Sequence, residues 1–378
     1  NQNRQGLMNT IHPNTELNPW LTQADYAKKL RPDLPPEAFL PVRDKLWILL
    51  INQAILILGW AIASYLDRWN WSMLWLYIPF AIVMGNSIIV LLFSSHDLMH
   101  SRAIQNPRLR WVITLLGLTL LWMPPTLWKA VHNREHHNKT NAMDDPDRNY
   151  LQSQPNTWGK WIQNAFVPSV DVNPLVLIVG MAHAWGVHAF RNLTSVLLFN
   201  RRGATYPVVA FDVSDKDRRM IAVEISIMAA IHITIIAALG FHPVKLLLGY
   251  FLPIWIGYAG VMFYIYTNHM LCRMTSVNDV LINSISLRVP KIFDVLHFNF
   301  SYHTEHHIFP GLNSDYYPKV QDLLKEHYPD RYNLLDAGEA WILLMTTSRH
   351  YQDENTFTNW AGDKSATCPL SDPTNQPI

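Results

Sequence analysis

Cysteine is nearly absent: Cys272 and Cys368 are the only two in 378 residues, too few for a disulfide framework or a cysteine-based metal site. A free Cys272 beside an apolar segment fits a reducing compartment. Charge is scarce as well, at 16 % of residues against about 25 % in a typical soluble domain. The net charge of +1 gives no electrostatic basis for a nucleic-acid partner. The first 40 residues lack an apolar core flanked by a cleavage site, so no secretory leader is expected there. What the chain does have is apolar surface. Hydrophobic residues make up 49 %, with 15 Trp and 15 Tyr, the aromatics that sit at lipid–water boundaries.

Four long apolar runs follow, at about 47–66, 70–95, 220–241 and 246–270. The first carries no charge from Trp47 to Leu66, and at 1.5 Å per residue such a run covers about 30 Å, the thickness of a bilayer core. Asp67-Arg68-Trp69 separates the first two runs, and His242-Pro243-Val244-Lys245 the last two. The expected fold is therefore an all-α integral membrane protein: four transmembrane helices in two hairpins, plus a cytoplasmic helical cap. Residues 1–44 read as an irregular, proline-rich arm with one short helix near Ala24–Leu30. Residues 45–350 read as the membrane domain and 351–378 as a polar tail, disordered from about Asp353. Trp111–Met123 is too short to span and ends at Pro124-Pro125, which suggests a re-entrant or interfacial helix. Pro174–Asn200, broken by His183, His188 and Arg191, is expected along the membrane surface, a fifth span being the alternative. Glu224 and His232 interrupt the third span and should face protein. Only Arg68 and Lys245 of the 30 Lys and Arg fall in the hairpin turns, so the opposite side is expected to be cytoplasmic.

The histidines stand out against this background. Residues three or four apart share a helix face, and neutral imidazole is the commonest metal ligand. His96 and His100 are four apart at the end of the second span. His132 and His136 repeat that spacing, followed by His137. His303, His306 and His307 combine both spacings. Adjacent histidines point about 100° apart on a helix, so each pair can serve two neighbouring ions. A chance His-x-x-His-His is expected about 0.03 times in such a chain, and three clusters near span ends go well beyond that. His269, at the end of the fourth span, is a candidate ninth ligand. Asn268, Asp145, Asp147 and His297 are candidates to support the ligands rather than bind metal. Asp97, Glu135 and Glu305 are expected to orient imidazoles through hydrogen bonds. His183 and His188 carry no functional expectation, and His12, His242, His327 and His350 read as loop or surface residues. Eight or nine histidines without cysteine exceed the needs of one zinc ion. Copper accepts imidazole too, but a redox pair of irons suits an inert substrate at a membrane face.

These boxes resemble those of the membrane fatty acid desaturase superfamily. The segment from Asn299 to Gly311, with Tyr302-His303-Thr304-Glu305-His306-His307 at its centre, resembles the third box of acyl-lipid desaturases, and Asp145-Pro146-Asp147 also resembles relatives. The resemblance spans about residues 40–330. It implies that His96, His100, His132, His136, His137, His269, His303, His306 and His307 ligate two iron ions (Fe2+/Fe3+). It also implies dioxygen as co-substrate, two external electrons, and hydrogen abstraction from an unactivated methylene pair. The second box departs from many desaturases: three residues, not two, separate its first histidine from the pair. No His-Pro-Gly-Gly haem signature occurs, so a ferredoxin or cytochrome b5-type donor is expected as a separate partner.

The expected function is O2-dependent desaturation of a long acyl chain, free, thioester-linked or lipid-bound. Hydroxylation, ketone formation, acetylenic-bond formation and terminal-olefin formation on the same scaffold are the alternatives. A metal transporter or metal-binding membrane protein is the remote alternative; it would string its ligands across mid-membrane. Trp122, Trp128, Trp255 and Tyr264 are candidates to line the substrate path.

Overall fold

The computed structural model describes residues 20–43, 45–142, 144–148, 151, 165–199 and 211–370. It is mostly helical. Among the described residues four helices are long and apolar enough to cross a membrane: Lys45–Arg68, Trp71–His100, Asp215–Ala238 and Pro243–Asn268. They overlap the four apolar runs closely, though the third and fourth end at Ala238 and Asn268, short of 241 and 270. The third starts five residues early because Ser214 caps it, its side chain accepting from the Asp217 N–H. Asp215 and Asp217 then favour the positive end of the helix dipole.

The second helix lies innermost, with 61 % of its apolar window buried, against 28 % for the first and third. It packs against both the first and the fourth. The approach to the fourth is close because glycines face it. A Cβ on Gly85 would fall 2.5 Å from Ile256 Cγ2, and one on Gly257 2.8 Å from Ile88 Cβ. Small residues at a helix crossing let the backbones meet. The outer faces expose large apolar side chains such as Trp71 (81 %), Ile57 (63 %) and Ile233 (62 %), which suits lipid contact better than water. Lys245 Nζ lies 3.0 Å from Asp67 Oδ1, so the two inter-helix turns meet at one end of the bundle.

Between the second and third spans the chain forms a bent pair, Pro107–Leu121 and Pro125–His136, turning by 88°. Trp122 takes a left-handed φ of 52° at the break, and the Pro124-Pro125 pair keeps the first helix from continuing through it. Buried Glu224, from the third span, fastens the bend. It accepts from Trp111 Nε1 (2.7 Å) on one arm and from Thr126 N (3.0 Å) and Oγ1 (2.8 Å) on the other. The expected polar, protein-facing setting of Glu224 is met in this way. Helix Pro174–Leu197 is not among the four apolar helices; it packs along the fourth.

The N-terminal arm holds a helix at Gln23–Leu30 with a Thr22/Asp25 capping box. Its Tyr26 and Leu30 pack in a second apolar cluster with Ile308, Leu312 and Val320. Residues 1–19, including His12, lie outside the described residues. The tail differs from expectation. Far from being structureless, residues 350–367 form an antiparallel sheet of β1 (His350–Tyr351), β2 (Thr356–Thr358) and β3 (Ser365–Thr367). Few apolar residues suffice because Phe357 and Tyr351 are buried under it. His350 is buried as well, at 4 % exposure. Residues 371–378 lie outside the described residues.

Candidate metal centre

Box one ends the second span, where regular α-helix puts His96 and His100 one turn apart. Box two sits in the second arm of the bent pair, and there the helix widens. Lys129–His136 is π-helical, and the His137 N–H bonds to the His132 carbonyl five residues back (3.1 Å). Box three is the short buried helix His303–Ile308. His269 leaves the end of the fourth span.

All nine histidines converge, in two groups: His96, His100, His132, His137 and His306 form one; His136, His269, His303 and His307 form the other. Within each group the candidate ligand atoms lie within 4.8 Å of one another. Both adjacent pairs, His136-His137 and His306-His307, divide between the groups, as the angle between neighbours on a helix requires. One spacing argument fails. Residues four apart stay together in boxes one and three, but in box two His132 joins His137, five residues on, and His136 goes to the other group. The π-helical register is the cause, since it aligns i with i+5 rather than i+4.

The contacts between rings have the character of a ligand shell. In the first group His132 Nε2 lies 3.1 Å from His96 Nε2 and 3.2 Å from His137 Nε2, which is 3.2 Å from His306 Nε2. In the second, His269 Nε2 is 3.1 Å from His136 Nε2 and 2.9 Å from His303 Nε2, itself 3.0 Å from His307 Nε2. Ligands at right angles around an ion about 2.1 Å away stand about 3.0 Å apart. The opposite ring edges explain why Nε2 points inward. Carboxylates and carbonyls only accept, so Nδ1 must carry the proton where it meets one. His136 donates to Asp145 Oδ2 (2.8 Å), His96 to Asp97 Oδ1 (3.2 Å), His132 to Asp147 Oδ2 (3.4 Å) and His269 to the Asn283 carbonyl (2.8 Å). The Nε2 atoms of His96 and His132, and those of His136 and His269, then present bare lone pairs to one another, an arrangement that a bound cation stabilises. Buried His100 Nε2 has no hydrogen-bond partner among the described residues, which is also what a ligand position requires.

Electrostatics agree. Burial, then neighbouring imidazoles, push His137, His269, His303, His306 and His307 well below the usual histidine range. Burial takes His132 down to about 3 despite Asp147. All six are neutral near pH 7 and able to bind metal. Burial also depresses His136, but the charge of Asp145, its hydrogen bond and Asp147 outweigh it and raise the net value. Asp147 resists the upward pull of its own burial because the His132 and His188 imidazoles hydrogen-bond it, and it stays ionised. The donor set fits a pair of first-row metal ions: nitrogen throughout, neutral, with carboxylates one step behind.

Beside both groups lies an apolar cleft. His96, His132, His136, His269 and His303 form its floor, with Phe93, Met123, Trp128, Trp185, Met262 and Phe300 among its walls.

The fatty acid desaturase family model matches residues 70–337, which include all nine histidines. The chain belongs to the fatty acid desaturase family. A search of curated proteins finds no match to it. In this family member the supporting residues sort unevenly. Asp145 and Asp147 do support imidazoles. Asn268 lines the cleft. His297 touches none of the nine: it bonds Tyr264 Oη (2.6 Å) and Asn86 Oδ1 (2.9 Å). Of the carboxylates inside the boxes, only Asp97 meets a ring. Glu135 pairs with Arg134 and Lys139. Glu305 accepts from Ser286 Oγ (2.5 Å), Tyr332 Oη and Gln321 Nε2 (3.3 Å), because its side chain leaves the helix on the face away from the ligands. Among the substrate-path candidates Trp128 lines the cleft, Trp122 and Trp255 line a second cavity, and Tyr264 is turned to His297.

Other residues escaped the sequence reading. His188 lines the cleft, and its Nε2 lies 3.3 Å from Asp147 Oδ1. A signal was there: His188, Arg191, Asn192 and Ser195 mark one polar face in an otherwise apolar helix. Arg148 donates to the His269 carbonyl (3.0 Å) and Tyr317 Oη meets His306 Nδ1 (3.1 Å). Both are contacts across distant segments, with no local signature.

Proposed function

We propose that the protein is an O2-dependent, di-iron membrane oxidoreductase that desaturates a long acyl chain by removing hydrogens from neighbouring methylenes. The observation that carries this reading is the convergence of nine imidazoles, in groups of five and four, five of them on the floor of an apolar cleft. The two groups would hold one iron each, and the irons would supply the one-electron oxygen chemistry that an unactivated C–H bond demands. The chain's own residues do the rest. Asp97, Asp145, Asp147 and the Asn283 carbonyl hold the rings in the tautomer that frees Nε2. Phe93, Met262 and Phe300 exclude water and press a hydrocarbon against the histidine floor, so that selectivity rests on placement. The cleft offers an acyl chain dispersion contacts and little competition from polar groups.

The topology that fits is two transmembrane hairpins with the centre on the cytoplasmic side. The contact of Lys245 with Asp67 supports it, because both turns then face away from the basic loops. A ferredoxin or cytochrome b5-type donor would deliver electrons at that face. Expression in a host, with mass spectrometry of its lipids and acyl thioesters, tests the reading. New double bonds that depend on His136 and His306 are the expected result; oxygenated products alone would reassign the protein to hydroxylation.

A further inference from the structure

Three carboxylates meet ligand rings, and they are not held alike. Asp147 Oδ2 lies 3.4 Å from His132 Nδ1, a longer bond than the 2.8 Å of Asp145 to His136 or the 3.2 Å of Asp97 to His96. Asp145 is fixed by two backbone N–H groups, those of Asn141 and Asp147. Asp147 has no such anchor among the described residues, and the side chains that approach it are imidazoles. A carboxylate on two rotatable bonds does not hold a ring through one long hydrogen bond. A second hold is needed.

Helix Pro174–Leu197 supplies it. His188 Nε2 lies 3.3 Å from Asp147 Oδ1, the oxygen that His132 leaves open. The tautomer of His188 is set from both sides. A carboxylate only accepts, so Nε2 carries the proton. A guanidinium only donates, so Nδ1, 3.2 Å from Arg191 Nη2, accepts. The Asn192 amide, 3.3 Å from Nε2, gives its N–H to the His188 carbonyl (3.1 Å). Burial keeps His188 below the usual histidine range in spite of Asp147, so the ring stays neutral near pH 7. Arg191 shares the face of His188 and donates from Nη2 to the Pro146 carbonyl (2.7 Å). One helix face thus grips two consecutive residues, Pro146 by its backbone and Asp147 by its side chain. The helix is pinned in turn, since Trp185 Nε1 donates to the Leu121 carbonyl (2.7 Å) at the bend before box two. Buried polar groups in an apolar helix are costly unless paired, and these are paired to the segment that follows box two. The same helix walls the cleft, which Ala184, Trp185 and His188 line.

We propose that His188 is a positioning residue of the metal centre: through Asp147 it fixes the His132 ring, and with it the ion of the five-histidine group, relative to the cleft wall. The proposal rests on the two-ion part of the reading above and not on desaturation. His188 itself makes no hydrogen bond or ring contact with any of the nine histidines. The link runs from His188 to Asp147 to His132. His136 Nδ1 is 3.9 Å from Asp147 Oδ2 and has Asp145 as its partner at 2.8 Å, so the four-histidine ion lies outside the link.

The full chain in detergent micelles is loaded with isotopically enriched ferrous iron, without any acyl substrate. Mössbauer spectra and chelator competition curves are recorded. His188→Phe keeps a ring of similar volume and removes the N–H. One of the two ions should then leave at about tenfold weaker chelation, the low end of what an orienting partner contributes. One of the two iron environments should change in the spectrum. His188→Gln, whose amide can donate to Asp147, should restore both readouts. In a His303→Ala background, which keeps the five-histidine ion, the loss should persist; in a His306→Ala background it should vanish. His183→Ala should match the wild type, since His183 is exposed on the same helix and donates to its own Val179 carbonyl (2.8 Å). Should His188→Phe fail to accumulate, His188→Leu removes the same donor and is read in the same way. Wild-type curves and spectra from His188→Phe, a loss confined to the four-histidine ion, or an equal loss of both ions that His188→Gln does not restore would overturn the proposal. The selective loss in a chain that yields no oxidised acyl product would uphold the proposal and refute desaturation. Double bonds from a His188→Phe protein whose two ions behave as in the wild type would do the reverse.

Discussion

Asp145 is the most sensitive place to perturb the centre without touching a ligand. Its carboxylate is fully buried and accepts three bonds: from His136 Nδ1 (2.8 Å) and the Asn141 N–H (2.8 Å) at Oδ2, and from the Asp147 N–H (2.9 Å) at Oδ1. Asp145→Asn keeps the shape. Its best orientation keeps oxygen towards His136 and Asn141, and so turns an NH2 against the Asp147 N–H. A bond to a charged group contributes about 1.5–3 kcal/mol and a neutral one about 1. The weakened hold on His136, a member of the four-histidine group, should therefore lower metal affinity there by about 10–100-fold. Competition against a graded series of chelators, followed by elemental analysis, measures this. One ion of the pair should leave at weaker chelation than in the wild type, and the other should follow the wild-type curve. Asp144→Asn is the control, since Asp144 is exposed and, among the described residues, its side chain pairs with Lys139 alone (2.6 Å). Identical chelation curves for Asp145→Asn and wild type would refute the claim that Asp145 sets the His136 ring.

Tyr351→Phe removes a buried hydroxyl that donates to the Cys272 carbonyl (2.5 Å) and so ties the C-terminal sheet to the segment after His269. A loss of about 1 kcal/mol is expected, read as a fall of a few degrees in the thermal midpoint; no fall would mean the sheet is not coupled there. Glu224→Gln confronts one of the three donors at the bend with an amide NH2 and should cost about 1–3 kcal/mol; an unchanged midpoint would remove Glu224 as the clamp of the bent pair. Metal-free protein should lose stability as pH falls below 6.5. The unfolded chain takes up protons there, while the buried histidines, His132 down to about 3, do not. Each such group contributes about 1.4 kcal/mol per pH unit within its window. A midpoint constant between pH 6.5 and 5 in the metal-free protein would contradict the buried, neutral histidines.

The spans were legible because an uncharged run of bilayer length has few other readings, and the three boxes because of their spacing and chemistry. The break at Pro124-Pro125 was visible as an end, though not its angle, since Glu224 sets that from about a hundred residues away. The division of the nine histidines was half legible. Adjacent pairs had to split, but His132 finds His137 only through a π-helical turn, and no residue in Lys129–His136 announces one. Asp145 and Asp147 could be suspected from their position after box two. His188, Arg148 and Tyr317 could not be ranked, because their roles arise from packing between segments far apart in sequence. The C-terminal sheet was missed because its strands are two or three residues long and mostly polar, and Phe357 alone gives too weak a pattern to mark them.

The central claim is that two groups of histidines hold two iron ions in one chain. Iron per polypeptide in the purified, iron-loaded protein tests it most directly, alongside His306→Ala from the group of five and His303→Ala from the group of four. The account predicts two irons in the wild type, a loss of about one in each single variant, and loss of both in the double variant. Two irons retained in either single variant, or a wild type that binds a single ion, would contradict it.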